Sequence, residues 1–281
     1  MSRKASLSAP SDGALSWQQV QVAIVALGEP ATPQQLEQLH SLLDCFVREN
    51  EDPKASPHLR ASAPDRLDAL AALLGRADVA KLSPATQLAA VASMKILCRR
   101  QDVRQRCTQR VVDALAPLLD PASSGATAAL ASEAANAASN LCYEPINVGM
   151  VLRAQGVALL LRLLSSSWAE AHMNAAAALQ TVSFQANGRA ALLKAGAAAT
   201  VLQRLSGSSD SRGDAGSGDG GAGAASTTEA KLLQRLVGTL HNLSSCAEGV
   251  LAMRQQGGVA AIARLLDSQH PGVAAAAADG E

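Results

Sequence analysis

The side chains whose type and spacing permit chemistry here are amides and aromatics, not acids, bases or nucleophiles. Asn140 and Asn242 each open an Asn-Leu pair at matching points of two similar stretches. One begins at Glu133, EAANAASNLCYEPINVGMVLRAQGVALLLRLLSS, and the other at Asn242, NLSSCAEGVLAMRQQGGVAAIARLLDS. A further copy, TVSFQANGRAALLKAGAAATVLQRL, begins at Thr181. A side-chain amide carries donors and an acceptor together, so it can pair with both the C=O and the N–H of an extended backbone. Three residues after Asn140 and Thr181 stand Tyr143 and Phe184, two of the five aromatic residues in the chain. Burial between neighbouring copies is the commoner fate of such rings; left exposed, they would be hydrophobic anchors for a partner.

Catalytic patterns are absent. The sequence has no GxxxxGK[ST], GxSxG or HExxH, and its Gly-rich run SGDGGAGA follows no strand-like segment. We therefore read the chain as non-catalytic. The five cysteines form no CxxC pair and no His/Cys group has zinc spacing, so neither metal nor cofactor is expected. An odd number of scattered cysteines suits reduced thiols in a cytoplasmic setting, with the nucleus as an alternative. Lys plus Arg equals Asp plus Glu, 24 each, which gives no global field toward nucleic acid. No apolar run reaches the roughly 18–20 residues of a membrane span, so integral membrane association is not expected. Arg99, Arg100, Arg104 and Arg106 make a local basic cluster. A solvated face is the simpler account of it, an acidic partner the other.

The elements that must position these residues are helical. Residues 1–13 read as a disordered tail, with Arg3-Lys4-Ala5-Ser6 resembling a kinase site, and 14–48 as N-terminal helices forming a possible cap. A first helix runs from Trp17 to Leu27. A second starts at Thr32-Pro33, a capping residue followed by a first-position proline. Residues 49–64 carry three prolines and read as a linker. From residue 65 to 281 a repeat emerges. Leu73, Leu118, Leu163, Leu205 and Leu265, each near a helix end, are 45, 45, 42 and 60 residues apart. The long interval contains 206–227, SGSSDSRGDAGSGDGGAGAAST, which has no apolar pattern and is expected to be a disordered insertion. Its Arg212-Gly213-Asp214 is read as a product of composition, not as an adhesion motif. His270-Pro271 is expected to open one more long helix. A unit of this size cannot shield its own apolar faces and must stack on its neighbours.

These features resemble the armadillo repeat. The turns Gln155-Gly156, Ala195-Gly196 and Gly257-Gly258 match the family's turn between first and second helices, and Asn140-Leu141 and Asn242-Leu243 match the end of its third helix. The resemblance implies an all-α, right-handed superhelix whose third helices line a concave groove for extended peptides or other protein partners. Aligning the third helices places Ile96, Asn140, Thr181 and Asn242 on one rung of that groove, and Ala92, Asn136, Ala177 and Gly238 four residues earlier. The family's nuclear-import adaptors carry tryptophan at the earlier position, so a shallower groove and a different ligand are implied. The expected groove residues are Asn136, Asn140, Tyr143, Thr181, Phe184, Gly238 and Asn242. Two other armadillo-type roles fit the same frame: regulation of a GTPase by nucleotide exchange or dissociation, and substrate binding for a ubiquitin ligase.

Overall fold

A computed structural model describes residues 15–60, 67–210, 222–266 and 271–278, and every described regular element is helical. The expected tail at 1–13 and the Arg212-Gly213-Asp214 tripeptide lie outside the described residues. The chain divides into two compact units, Met1–Leu115 and Ala116–Glu281, taken in turn below.

The first unit contains α1 (Trp17–Val25), α2 (Pro33–Asn50), α3 (Pro57–Arg60), α4 (Asp68–Leu74), α5 (Ala77–Leu82), α6 (Pro84–Leu97), α7 (Gln101–Arg104) and α8 (Gln109–Leu115). The start of α2 is as the sequence dictates. Thr32 Oγ1 accepts from the Gln35 N–H at 3.2 Å, and Gln35 Oε1 accepts in return from the Thr32 N–H at 3.0 Å, with Pro33 in the first turn. Leu36, Leu39, Leu43 and Phe46 then fall on the buried side of α2. Trp17 of α1 packs on Phe46, ring centres 5.3 Å apart.

Of the stretch 49–64 read as a linker, the described part, up to residue 60, is folded instead. The α2 helix runs on to Asn50, whose buried amide bonds the Phe46 carbonyl and accepts from Ser56 Oγ (2.8 Å) and the His58 N–H (2.9 Å). Prolines at 53 and 57 shape this compact turn; they do not extend the chain. The loop ahead of α2 is also tied down. Asp78 accepts the Ala31 N–H at 2.9 Å while Arg76, paired with that carboxylate, donates to the Gly28 carbonyl. The Arg76 guanidinium holds the Asp78 carboxyl well below the usual carboxylate range, with the Ala31 N–H adding to the effect.

The second unit opens with a 3-10 turn (Ala116–Leu119) and continues through α9 (Ala128–Leu141), α10 (Pro145–Arg153), α11 (Gly156–Leu164), α12 (Ala169–Ser183), α13 (Ala186–Lys194), α14 (Ala197–Asp210), α15 (Ala222–Leu243), α16 (Ala247–Gln255), α17 (Gly258–Leu266) and α18 (Pro271–Ala278). The long third helices α9, α12, α15 and α18 pack in sequence, each on the next. First and second helices cover one side of this row: α11 and α13 lie on α12, and α14 and α16 on α15. The core is aliphatic and small, with Ala131, Ala134, Ala135, Ala175, Ala176, Leu179 and Leu240 closed to solvent. Small side chains let the third helices approach closely, which is how a core nearly without aromatics closes.

The repeat is visible atom by atom at the end of each third helix. The Tyr143, Phe184 and Ser245 N–H groups donate to the carbonyls of Asn140, Thr181 and Asn242, and Arg99 to Ile96 likewise in the first unit. Three residues into the next helix the chain folds back so tightly that a Cβ added at Gly188 would collide with the Val182 carbonyl, and one at Gly249 with that of Leu243. At the equivalent point Asn147 is wholly buried and its amide donates to the Leu141 carbonyl at 3.0 Å. The turn between first and second helices needs a left-handed residue. Gln155 (φ 57°), Gly196 (φ 74°) and Gly257 (φ 72°) supply it. So Gln155 corresponds to Gly196, one position off the alignment expected from Gln155-Gly156 and Ala195-Gly196.

Two further expectations shift. Leu118 falls in the 3-10 turn and is only half-buried, Leu115 and Leu119 taking the core positions. At the 206–227 insertion, α14 continues to Asp210 and α15 begins at Ala222, so both ends of that stretch are helical; residues 211–221 lie outside the described ones. Among the described residues no single helix is long and apolar enough to cross a membrane.

Candidate functional site

The face of α9, α12 and α15 away from the covering helices is the candidate groove, and five of the seven expected groove residues belong to these helices. Asn136, Asn140, Gly238 and Asn242 are half-buried, as a groove floor requires. Asn242 donates through Nδ2 to Ser183 Oγ at 2.7 Å, which fixes the amide plane between α15 and α12 and leaves its carbonyl oxygen as an acceptor. A Cβ at Gly238 would collide with the Gln180 side-chain amide, so glycine here lets Gln180 lie flat across the helix boundary. Gln180 in turn accepts from Arg235 Nη1 at 2.9 Å.

Thr181 departs from the expectation. It is buried, its hydroxyl donating to the Ala177 carbonyl at 2.9 Å and standing 3.2 Å from Ser139 Oγ. Its hydroxyl joins α9 to α12 and does not face a ligand. The amide that α12 offers to the open side is one residue earlier, at Gln180. Sequence alignment pointed to Thr181 by register alone. The amide chemistry of Gln180, one helical step of about 100° away, was the available signal. Asn174 makes a second tie between the helices, donating to the Ser132 carbonyl and hydroxyl at 3.2 and 2.9 Å.

Tyr143 and Phe184 are exposed, 54% and 51%, whereas Trp17 and Phe46 are sealed inside the first unit. Burial between repeats, the commoner fate of such rings, is therefore not theirs. Phe184 is the C-cap of α12 and Tyr143 follows the α9 C-cap, Cys142; Ile146, 67% exposed, stands three residues after Tyr143.

In the first unit the equivalent positions do other work. Ile96 is fully buried. Arg99 donates to the carbonyls of Asn50 and Glu51 at the end of α2, and the buried Lys95 pairs with Glu51 at 2.9 Å. Cations there complement the helix C-terminus. Most of the basic cluster is engaged within the fold, while Arg106 is exposed near Asp102. Arg100 is held by Asp102, and Arg104 caps the carbonyls of Cys98 and Arg99. Arg189 caps α12 in the same way through Ser183 and Phe184.

Nothing in this arrangement presents an acid–base pair or an activated nucleophile. Burial pushes the Cys107 thiol up to about 12 and Cys98 well above its usual value, so neither ionises at neutral pH. Among the described residues no three His, Cys, Asp or Glu side chains gather to hold a metal ion.

No family model matches this chain, and no curated protein does. Solved structures do. A designed armadillo repeat protein superposes with a TM-score of 0.67 at 20% identity, over 94% of this chain and 98% of that one. A second designed armadillo repeat protein, in complex with the peptide (KR)4, gives 0.67 at 19% identity over 93% and 96%. Computationally designed armadillo repeat proteins for modular peptide recognition give 0.68 at 19% identity over 93% and 98%. The fold is thus the all-α, armadillo-type solenoid.

Proposed function

We propose that this chain is a non-catalytic scaffold whose open face on α9, α12 and α15 holds an extended segment of a protein partner. The observation that carries this reading is the pair of exposed rings, Tyr143 and Phe184, at equivalent ends of consecutive third helices beside the half-buried amides of Asn140, Gln180 and Asn242. Aromatic side chains beside fixed amides combine apolar anchoring with backbone pairing, the two components of extended-peptide recognition. The complex of one designed armadillo repeat protein with the peptide (KR)4 supports the analogy. The balanced charge of the whole chain suits a protein ligand better than nucleic acid. No observation favours a GTPase regulator or a ubiquitin-ligase arm over plain groove binding.

The test is affinity capture with the wild-type chain and with the Asn140→Ala/Asn242→Ala double variant, both checked for unchanged helical content. Partners that bind the wild type and are lost from the variant are groove ligands. Retention of every partner by the variant contradicts the proposal.

A further inference from the structure

A second, unrelated feature lies where the α11–α12 corner meets α14. A cleft of about 420 Å³ is lined by Ser165, Ser167, His172, Thr200, Gln203 and Arg204. Among the described residues no carboxylate lines it. The Arg204 Nη2 donates to His172 Nδ1 at 3.3 Å, and since a backbone carbonyl only accepts, His172 Nε2 must carry the hydrogen it shares with the Ser166 carbonyl at 2.9 Å. The imidazole is thus neutral and turned to receive Arg204. Arg204 Nε is shut off from solvent and finds no hydrogen-bond partner among the described residues. A guanidinium has five N–H donors and keeps its charge, so this one is short of an acceptor.

The preceding repeat shows what fills the same place. Arg162 precedes Leu163 in α11 as Arg204 precedes Leu205 in α14, and Arg162 pairs with Asp120 at 3.1 Å. Asp120 is the first residue after the 3-10 turn that closes the repeat before, and the residue first after α11 is Ser165. One junction therefore has arginine against an aspartate, and the next has arginine against a serine in an open cleft. Glu229 lies close enough to act on His172 electrostatically, but it is not part of the cleft wall.

We propose that this cleft is an anion site, taking a phosphate monoester or a carboxylate from outside in the position that Asp120 occupies one repeat earlier. Arg204 supplies the charge-assisted hydrogen bonds, and the hydroxyls of Ser165, Ser167 and Thr200 and the Gln203 amide supply neutral donors around it. The inference is independent of peptide binding on the third helices and involves none of the same side chains.

The test uses the full chain, isotopically labelled, with resonances of Arg204 Nε–H and the His172 ring followed during titration with phosphoserine and, separately, with glutarate. Saturable shifts at both groups are expected with at least one ligand, and which ligand saturates decides between phosphate and carboxylate. Arg204→Gln should weaken that binding about tenfold or more. Ser165→Asp, which rebuilds the internal pair, should abolish it while leaving the fold intact. Asp120→Ser should open a matching site beside Arg162. Absence of saturation with either ligand, or saturation unchanged in both Arg204→Gln and Ser165→Asp, overturns the proposal.

Discussion

Asn242 and His58 show how a single side chain can be bound into the fold while retaining a property of its own. Asn242 gives one N–H to Ser183 and remains half-buried, its side-chain oxygen still an acceptor. Asn242→Ala should therefore lower stability by only about 1 kcal/mol, read from denaturant midpoints, while weakening groove ligands far more than that loss of fold would. His58 is buried against Phe46, and burial first, then the Arg100 charge, hold its pKa down to about 4, with Asp102 opposing. The unfolded chain takes up a proton at about 6.5 and the folded one does not until near 4. Stability from this group is complete above the unfolded value and declines as pH falls through that interval. His58→Phe should flatten the decline between about pH 6.5 and 4, seen as parallel thermal melts across a pH series. The Asp78 carboxyl, held low by Arg76, contributes in the same direction at lower pH, its stability present above its unfolded pKa and lost under stronger acid.

At the level of the element, the turn from each third helix into the next first helix is where sequence and geometry meet most tightly. Gly188 and Gly249 sit against the Val182 and Leu243 carbonyls with no room for a methyl group. Gly249→Ala should cost about 1–3 kcal/mol through the enforced backbone shift, and Gly188→Ala a similar amount. Thermal denaturation would measure both, and an unchanged midpoint would mean the turn is looser than described. Helix starts such as Thr32-Pro33 were legible because capping is local chemistry, decided within four residues. The folding of 51–60 was not legible, because it depends on Asn50 reaching Ser56 and His58, and nothing in a proline-rich stretch announces one buried amide. The helical ends of the 206–227 stretch were missed for a related reason: residues poor in apolar pattern still extend a helix already nucleated by α14 or α15.

For the molecule as a whole, the armadillo-type fold was readable from recurrence: a leucine near each helix end, a left-handed turn and an Asn-Leu pair, each weak alone, at near-constant spacing. Register brought Asn136, Asn140, Gly238 and Asn242 to half-buried positions on the third helices, yet could not tell the buried Thr181 from its half-buried neighbour Gln180, nor exposed rings from packed ones, because both depend on the adjacent repeat. The spacing also predicts ligand length. Asn140 and Asn242 stand on third helices two repeats apart, about 16–20 Å at ordinary helix separations, which about five or six extended residues span. Affinity should rise steeply as a bound peptide grows to that length and level off beyond Phe184 and Tyr143. A flat dependence on length would place the contacts elsewhere. The most direct measurement is amide hydrogen exchange of the full chain with and without a peptide selected for binding from an unbiased library. Slowed exchange centred on α9, α12 and α15 and the turns at Tyr143 and Phe184 is the predicted result. Protection confined to the covering helices α11, α14 and α17, or no peptide selected at all, would contradict the account.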